Sequence, residues 1–382
     1  MNEVKVNIMT AGRKKKIRLK RKYAGVKSKI DTGLKKGAGG ATLSGGAKKA
    51  REHEILFDLP PLETISDITK LSDDALKFSK RYKKISNRIL LNLGEPLHLL
   101  EEMVGMDELK KTVFDQTIYY LLGLNHMGNQ DEYLHTIIVG PPGVGKTTVA
   151  KILAKIYLAM GAVDEPRNIF KIAHREDMVA SYLGQTATKT LSLLQSCIGG
   201  VLFIDEVYAF GTGLKGKDSF SKEAVDTLCG FLSDNAGKMI CIIAGYEKDV
   251  EECFLSINKG LKSRFQWKHR LKPFECEELR RIFKLHVEKI GWKVEDKALD
   301  AIQSTSSAGG TSSGGASADI FLQGQGRALK NLIFKSKMMH ASRLIKGDGK
   351  KGILNKNDIL HAIEWMQKGK ENEDEDFQSM YT

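Results

Sequence analysis

The chain has 382 residues, of which 41% are hydrophobic, so it can bury an ordinary core and is too long for a small disulfide-stapled domain. None of its five cysteines forms a C-x-x-C pair and no apolar run approaches about 18 residues, which argues against a disulfide framework, structural zinc and a membrane span. The net charge of +13 is confined to the first 50 residues, which hold 15 Lys and Arg against two acidic residues.

Residues 1–55 are predicted to form a basic arm, disordered where Lys and Gly dominate between residues 11 and 50. The run RKKKIRLKRK at 13–22 is typical of a nuclear import signal, a nucleic-acid tether or a tail that recruits an acidic partner. Its one aromatic neighbour is Tyr23, so nucleic-acid binding through residues 11–36 would be led by phosphate contacts. No apolar signal core stands at the N-terminus, and we expect a soluble intracellular protein of the cytoplasm or nucleus, with no membrane partner.

Residues 56–96 regain apolar side chains at loosely helical spacing, which predicts a helical linker. Across residues 97–272 apolar runs alternate with amphipathic segments, the pattern of a parallel sheet covered by helices. The predicted strands are LHTIIV (134–139), NIFKI (168–172), GVLFID (200–205), MICIIA (239–244) and a fifth at 266–271. The predicted helices between them cover residues 146–160, 186–197, 221–235 and 248–254.

A glycine-rich segment, GPPGVGKT, directly follows the first of these strands and opens a helix. This is a Walker A loop, in which backbone N–H groups and the positive end of the helix hold phosphate oxygens. Lys146 is expected to reach the β and γ phosphates, and Thr147 to bind Mg²⁺. The predicted nucleotide-binding residues of the loop are Gly140, Pro141, Pro142, Gly143, Val144, Gly145, Lys146, Thr147 and Thr148. The sequence therefore predicts ATP and Mg²⁺ as ligands.

Two adjacent carboxylates, Asp205 and Glu206, end a later apolar strand, which is the Walker B arrangement. Asp205 is expected to hold Mg²⁺ through water, and Glu206 to orient and polarise the water that attacks the γ phosphate. Together the two motifs predict an ATPase with an α/β P-loop NTPase fold, built on a five-stranded parallel sheet with helices on both faces.

Beyond Pro273 the pattern is wholly helical, which predicts a small lid domain over residues 273–368. Its predicted helices cover residues 275–290, 298–303, 326–345 and 357–367. A Ser/Gly run at 304–318 predicts a flexible loop inside this domain, and residues 369–382 form an acidic tail.

Longer stretches around these motifs resemble the AAA+ family, in the branch that contains red-type rubisco activase (CbbX) and stage V sporulation protein K. The similar segments are VGMDELKK (104–111), GPPGVGKTTVAKILAKIY (140–157), REDMVASYLGQTATKT (175–190), GGVLFIDEVYAF (199–210), EAVDTLCGFL (223–232), IIAGYEKDVE (242–251), GLKSRF (260–265) and GQGRALKN (324–331). The resemblance covers residues 97–367 and leaves the arm unexplained.

The resemblance implies further nucleotide contacts. Val104, Gly105 and Met106 would lie along the adenine, and Arg327 matches sensor 2, which ties the lid position to the γ phosphate. Many AAA+ proteins carry Asn or Thr at the end of the fourth strand as sensor 1. This chain has the segment AGY at 244–246 there, so no sensor 1 atom is assigned.

The resemblance also implies an oligomer, with a hexamer expected. Arg264 matches the arginine finger, which enters the ATP site of a neighbouring subunit. Relatives often carry a second arginine where this chain has Lys262, and a lysine cannot make the planar bidentate contact of an arginine. Tyr182, Leu183 and Gly184 resemble the aromatic pore loop with which hexameric relatives grip a polypeptide.

Three functions are consistent with these residues. The first is a ring ATPase that remodels or threads a protein client, and the second is a nucleic-acid-directed motor or loader tethered by the basic arm. An aromatic loop tip at Tyr182 favours polypeptide over a phosphate-gripping channel, which would need Lys or Arg there. The third is a scaffold that binds nucleotide without turnover, and the intact Lys146, Asp205 and Glu206 argue against it.

Overall fold

The computed structural model describes residues 6–10, 13–17, 56–126, 133–182, 184–211, 218–302 and 315–379, in two units, 1–54 and 55–382. In the first unit, β1 (Val6–Thr10) pairs antiparallel with β2 (Arg13–Ile17). The predicted disorder of residues 11–50 is thus corrected at 13–17, where the β-branched Ile17 pairs with Val6. Other residues of the predicted arm lie outside the described part.

The second unit holds the remaining elements. Its strands are β3 (Leu56–Phe57), β4 (Arg81–Tyr82), β5 (Thr136–Val139), β6 (Ile169–Ala173), β7 (Gly200–Ile204), β8 (Ile240–Gly245), β9 (Trp267–Arg270), β10 (Lys293–Val294) and β11 (Ile353–Leu354). Its α-helices are α1 (Ile65–Phe78), α2 (Asn87–Glu101), α3 (Asp107–Leu121), α4 (Lys146–Met160), α5 (Arg175–Met178), α6 (Thr186–Gln195), α7 (Ser219–Asp234), α8 (Glu247–Asp249), α9 (Gly260–Arg264), α10 (Cys276–Lys289), α11 (Gly315–Ile345) and α12 (Lys356–Ser379). Short 3₁₀ segments cover Leu124–His126, Val207–Gly211 and Asp296–Ala301, and a π-helical turn covers Val250–Leu255.

Five parallel strands form the central sheet in the order β6-β7-β8-β5-β9, which confirms the predicted fold class. Strands β5, β7 and β8 are buried at every position, as expected for parallel strands covered on both faces. Val139 at the end of β5 lies opposite Gly245 at the end of β8. The loops after these three strands therefore meet at one edge of the sheet, which is where α/β sheets bind ligands.

Helices α1, α2 and α3 pack with α4 in one hydrophobic core. Leu90, Leu93, Leu97 and Leu100 of α2 are all fully buried and form one continuous helical face. The predicted boundary between a linker (56–96) and the large domain (97–272) therefore falls inside α2, because the same leucine stripe runs across it.

The lid has a hydrophobic core of its own, formed by α10, α11, α12 and the 3₁₀ segment before α11. Helix α11 begins at Gly315 and is broken at Gln325, which corrects the predicted loop of 304–318 for residues 315–318; residues 303–314 lie outside the described part. Helix α12 runs to Ser379, through most of the predicted acidic tail, because Glu, Lys and Gln are good helix formers. Among the described helices, none is both long and apolar enough to cross a lipid bilayer.

Candidate active site

A cavity of about 460 Å³ lies between the large domain and the lid, within the size range of small-ligand sites, about 300–1,000 Å³. Its walls come from α2, α4, the loops after β5, β7 and β8, and the lid helices α10 and α11. The predicted residues that line it are Val104, Pro142, Gly143, Val144, Gly145, Lys146, Thr147, Thr148, Asp205, Glu206 and Arg327. Residues separated widely in the chain thus share one space.

The Walker A loop wraps around the N-terminus of α4. Gly143 and Gly145 have φ angles of +78° and +93°, a region that glycine adopts without steric cost. The Lys146 Nζ donates hydrogen bonds to the carbonyl oxygens of Gly140 at 2.8 Å and Pro141 at 2.9 Å. Burial lowers the pKa of the Lys146 ammonium, and the charge of Asp205 partly offsets this effect. The ammonium therefore lies on the loop that phosphate oxygens would enter.

The two Walker B carboxylates stand at the end of β7. Asp205 Oδ2 accepts a hydrogen bond from Thr147 Oγ1 at 2.9 Å, and Asp205 Oδ1 accepts one from the backbone N–H of Glu206 at 3.0 Å. Glu206 has a φ of +54°, which is unfavourable for a residue with a side chain and typical of functional sites. Asp205 is thus bound to the Walker A threonine, while Glu206 occupies a strained backbone conformation.

The donor set around Thr147 and Asp205 suits Mg²⁺, because both offer oxygen atoms on the cavity wall. Over the part of the chain that the structure describes, no group of three or more His, Cys, Asp or Glu could hold a metal by itself. Mg²⁺ at this place would therefore need phosphate and water oxygens to complete its octahedral coordination.

One residue of the predicted adenine-binding segment lines the cavity. Val104 is in the wall, whereas Gly105 and Met106 are outside it, Gly105 lying against the Glu278 side chain of the lid. Met106, with a φ of +63°, is the N-cap of α3. Other apolar side chains of the cavity wall are Leu99, Met103, Ile152, Ile282 and Leu285.

The lid contacts the Walker A loop through backbone atoms. The N–H of Gly326 donates to the carbonyl oxygen of Gly143 at 3.0 Å. The break in α11 at the buried Gln325 allows this approach, and the Gln325 Oε1 accepts a hydrogen bond from the Phe274 N–H at 2.9 Å. Arg327, the predicted sensor 2 residue, follows directly and reaches the cavity wall.

Arg264, the predicted arginine finger, lies outside the wall of this cavity. Its Nε donates to Ser233 Oγ at 2.8 Å and its Nη1 to the Gly260 carbonyl oxygen at 2.6 Å. Lys262 Nζ lies 3.5 Å from Glu251 Oε2. The Arg264 guanidinium and the Lys262 ammonium are therefore both paired with groups of the same chain.

The predicted pore loop also lies away from the cavity, between α5 and α6. Tyr182 is 71% exposed, and Gly184 has a φ of +79°. Leu183 lies outside the described residues.

Two tyrosines of the cavity wall were missed by the predictions. The rings of Tyr208 and Tyr246 are stacked, with centroids 5.8 Å apart and planes 21° apart, and Lys146 Nζ lies 5.1 Å from the Tyr246 centroid. The available signal was their position, since Tyr208 comes two residues after Glu206 and Tyr246 directly follows β8. Both tyrosines lie just after the ends of predicted strands, and this position could have identified them.

Three lid residues of the cavity wall were missed as well. His286, Lys289 and Lys330 line the cavity, and Lys289 Nζ lies 3.0 Å from Oε2 of Glu102, the residue that follows α2. Burial, together with the charges of Lys330 and Lys289, lowers the pKa of His286, which favours its neutral form.

Comparison with known proteins places this geometry in context. The family model described as "ATPase family associated with various cellular activities (AAA)" matches residues 136–269. The cfxQ-like protein R730 of Acanthamoeba polyphaga mimivirus is 37% identical over 315 residues, covering 80% of this chain and 72% of that protein. Stage V sporulation protein K of Bacillus subtilis is 33% identical over 263 residues, covering 65% and 76%. The solved AAA domain of FIGL-1 in complex with ADP matches 68% of this chain and 81% of that one, at 15% identity and a TM-score of 0.48.

Proposed function

The chain belongs to the AAA family of ATPases, in the branch of the cfxQ-like proteins and stage V sporulation protein K, and we propose that it works as a ring that remodels or threads a protein client. One observation carries the ATPase chemistry. Lys146, Thr147, Asp205, Glu206 and Arg327 line a single cavity of about 460 Å³.

In the proposed reaction, a water molecule attacks the γ phosphorus of ATP, the bond to the bridging oxygen of ADP breaks, and Glu206 accepts the proton of the water. Lys146 contacts the β and γ phosphates, and Arg327 binds the γ phosphate from the lid. Thr147 and Asp205 would hold Mg²⁺, which when bound would neutralise charge on the phosphate oxygens.

The ring is proposed because Arg264 lies outside the cavity of its own chain. A cation that stabilises the transferring phosphoryl group must reach it directly, so Arg264 would act on the site of a neighbouring subunit. The resemblance to ring-forming relatives and the position of Arg264 at the end of α9, where it contacts Ser233 of α7, both support this arrangement.

Mixing two inactive variants tests it. Lys146→Ala removes a site residue and Arg264→Ala removes the finger, and each alone should lower turnover by about 10³-fold. When the two are co-assembled, an intact site meets an intact finger at some interfaces, and we expect a substantial part of the wild-type phosphate release to return. Co-assembled rings that stay as inactive as the separate variants would contradict a finger acting between subunits.

Ser233→Ala is the matched control for Arg264→Ala. It removes the hydroxyl that binds the guanidinium within the chain but keeps the cation. If Ser233→Ala lowers turnover as strongly as Arg264→Ala, the contact inside the chain would explain the loss without a neighbouring subunit.

A protein client is proposed because an exposed aromatic ring on a glycine-containing loop can contact any extended polypeptide. Glu206→Gln, which should keep ATP bound, would retain the client for identification. We expect the double variant with Glu206→Gln and Tyr182→Ala to fail to retain the client.

The excess charge of the first 50 residues supports the second candidate, a nucleic-acid-directed motor. ATPase rates measured with unfolded polypeptide and with single-stranded DNA, for the full chain and for a chain without residues 1–50, separate the two. Stimulation by DNA that is lost with the arm and falls with salt would favour the second candidate.

A further inference from the structure

The end of β8 brings an aromatic ring to the catalytic lysine. Tyr246 follows Gly245, and β8 lies between β5, which leads into the Walker A loop, and β7, which leads into the Walker B carboxylates. Two hydrogen bonds of the Lys146 ammonium go to the carbonyl oxygens of Gly140 and Pro141. The Tyr246 ring lies 5.1 Å from the same nitrogen, a distance at which a cation and an aromatic face attract each other.

Close packing fixes the backbone that carries this ring. A Cβ built on Gly245 would lie 2.9 Å from Val250 Cγ2 and 3.3 Å from Val207 Cγ2, so the strand end is closed in on both sides. Val207 and Val250 are themselves fully buried. Tyr246 therefore projects from a rigid edge, although its own side chain is partly exposed.

The second ring connects this edge to the catalytic glutamate. Tyr208 stacks on Tyr246 with ring centroids 5.8 Å apart. Burial first, and then the charge of Glu206 and a hydrogen bond to its side chain, raise the pKa of the Tyr208 phenol. The phenol therefore keeps its proton near neutral pH and donates it in a hydrogen bond to the Glu206 carboxylate.

We propose that Tyr208 and Tyr246 are a pair of positioning residues for ATP hydrolysis, with Tyr246 placing the Lys146 ammonium and Tyr208 placing the Glu206 carboxylate. The stacked pair then fixes the position of the Lys146 ammonium relative to the Glu206 carboxylate. Tyr246 directly follows the strand end where many AAA+ proteins carry a polar sensor residue, and Tyr208 follows the neighbouring strand β7. This inference rests on the proposed roles of Lys146 and Glu206.

The test compares variants that remove the hydroxyl or the ring. Tyr208→Phe keeps the stack but loses the hydrogen bond to Glu206, and we expect kcat to fall roughly tenfold with KM for ATP changed less than about twofold. Tyr246→Leu removes the ring from Lys146, and we expect kcat to fall roughly tenfold and ATP affinity to weaken several-fold. Tyr246→Phe keeps the ring and should restore most of what Tyr246→Leu loses.

Phe170→Leu is the matched control for loss of an aromatic stack in the same sheet. Phe170 stacks on Phe203 with centroids 6.2 Å apart, and neither residue lines the cavity. We expect Phe170→Leu to lower the thermal midpoint while kcat stays near the wild-type value. If Tyr246→Leu likewise lowers the thermal midpoint and leaves kcat near the wild-type value, Tyr246 has a structural role only.

Three results would overturn the proposal. They are wild-type kcat in Tyr208→Phe, wild-type kcat in Tyr246→Leu, and a loss in Tyr246→Phe as large as that in Tyr246→Leu. Lys146→Ala and Glu206→Gln are assayed in parallel, because normal turnover in those two would remove the proposed catalytic roles themselves. A failure of the tyrosine pair is thus distinct from a failure of the site.

Discussion

Two loops of the large domain turn on a glycine with nearly the same backbone angle but different surroundings. Gly143 of the Walker A loop has a φ of +78°, and Gly184 of the Tyr182 loop has a φ of +79°. A Cβ at Gly143 would lie 2.3 Å from the carbonyl oxygen of Gly324, whereas among the described residues no such neighbour comes within 4 Å of a Cβ at Gly184.

The difference separates a site that is assembled within the chain from a loop that is open to a partner. At the Walker A loop the catalytic side chains already have protein partners, as the Thr147 to Asp205 hydrogen bond of 2.9 Å illustrates. At the other loop Tyr182 is 71% exposed. Changes in the first region should alter ATP chemistry under all conditions, and changes in the second should appear only with a client.

The largest expected effect is on the assembled site. Glu206→Gln removes the proton acceptor but keeps the size of the side chain, and we expect turnover to fall by about 10³-fold with ATP still bound. Steady-state phosphate release and equilibrium binding of labelled ATP measure the two quantities. A client should not rescue the loss, and a client-dependent recovery would break the distinction between the regions.

Acid pH should weaken the sheet that supports the site. Burial, with the charge of Arg264 as a smaller cause, lowers the pKa of His135 to about 3, and burial lowers that of His269 to about 4. The pKa of a histidine in an unfolded chain is about 6.5. Between that pH and the folded pKa values, the unfolded chain therefore binds more protons than the folded chain. The free energy of unfolding should therefore decrease as pH falls through this range, by up to about 1.4 kcal/mol per pH unit for each histidine.

Denaturant unfolding between pH 7 and pH 4.5 checks this slope. His269→Leu removes one of the two groups, and the Nε2 atom lost with the ring has no hydrogen-bond partner among the described residues. The variant should show a shallower decline. An unchanged slope would mean that the acid sensitivity comes from other groups.

The two glycines provide a direct comparison of smaller effects. Alanine at either position meets the same left-handed backbone penalty, about 1–2 kcal/mol of stability. Gly143→Ala should in addition displace Gly324 of the lid and weaken ATP binding, whereas Gly184→Ala should leave ATP affinity near wild type. Thermal unfolding and nucleotide titration of both variants measure the difference, and equal ATP affinities would show that the lid contact is unimportant for binding.

The smallest effect on basal chemistry is expected for Tyr182→Ala. Its side chain is mostly in solvent, so removal should change stability by less than about 0.5 kcal/mol and basal ATPase by less than about twofold. Client-stimulated ATPase and client remodelling should be lost. Remodelling at the wild-type rate would exclude Tyr182 as the contact that grips the client.

Local signals in the sequence were sufficient for the sheet and for the phosphate-binding loop. All five strands of the central sheet were predicted. The three that are buried at every position, β5, β7 and β8, are continuous apolar runs bounded by turn residues. Helix α4 was predicted with its observed limits, because the glycine-rich turn fixes its start and Gly161, with a φ of +74°, caps its end.

Contacts between distant segments left no such signal. The approach of Gly326 to Gly143 and the stack of Tyr208 on Tyr246 depend on how the lid and the strand ends pack, which hydrophobic periodicity does not encode. The limits of α2 and α12 were missed for another reason. Their apolar or helix-forming residues continue past a change in composition that was interpreted as a boundary.

The hydrogen bond between Gly326 and Gly143 uses atoms that nearly every amino acid carries. Substitution can crowd this contact, but only proline at position 326 would delete the donor itself. Side chains across the lid can therefore diverge while the main-chain connection persists. We expect the rate at which the Gly326 and Gly143 segments separate to set the rate at which ADP is replaced by ATP.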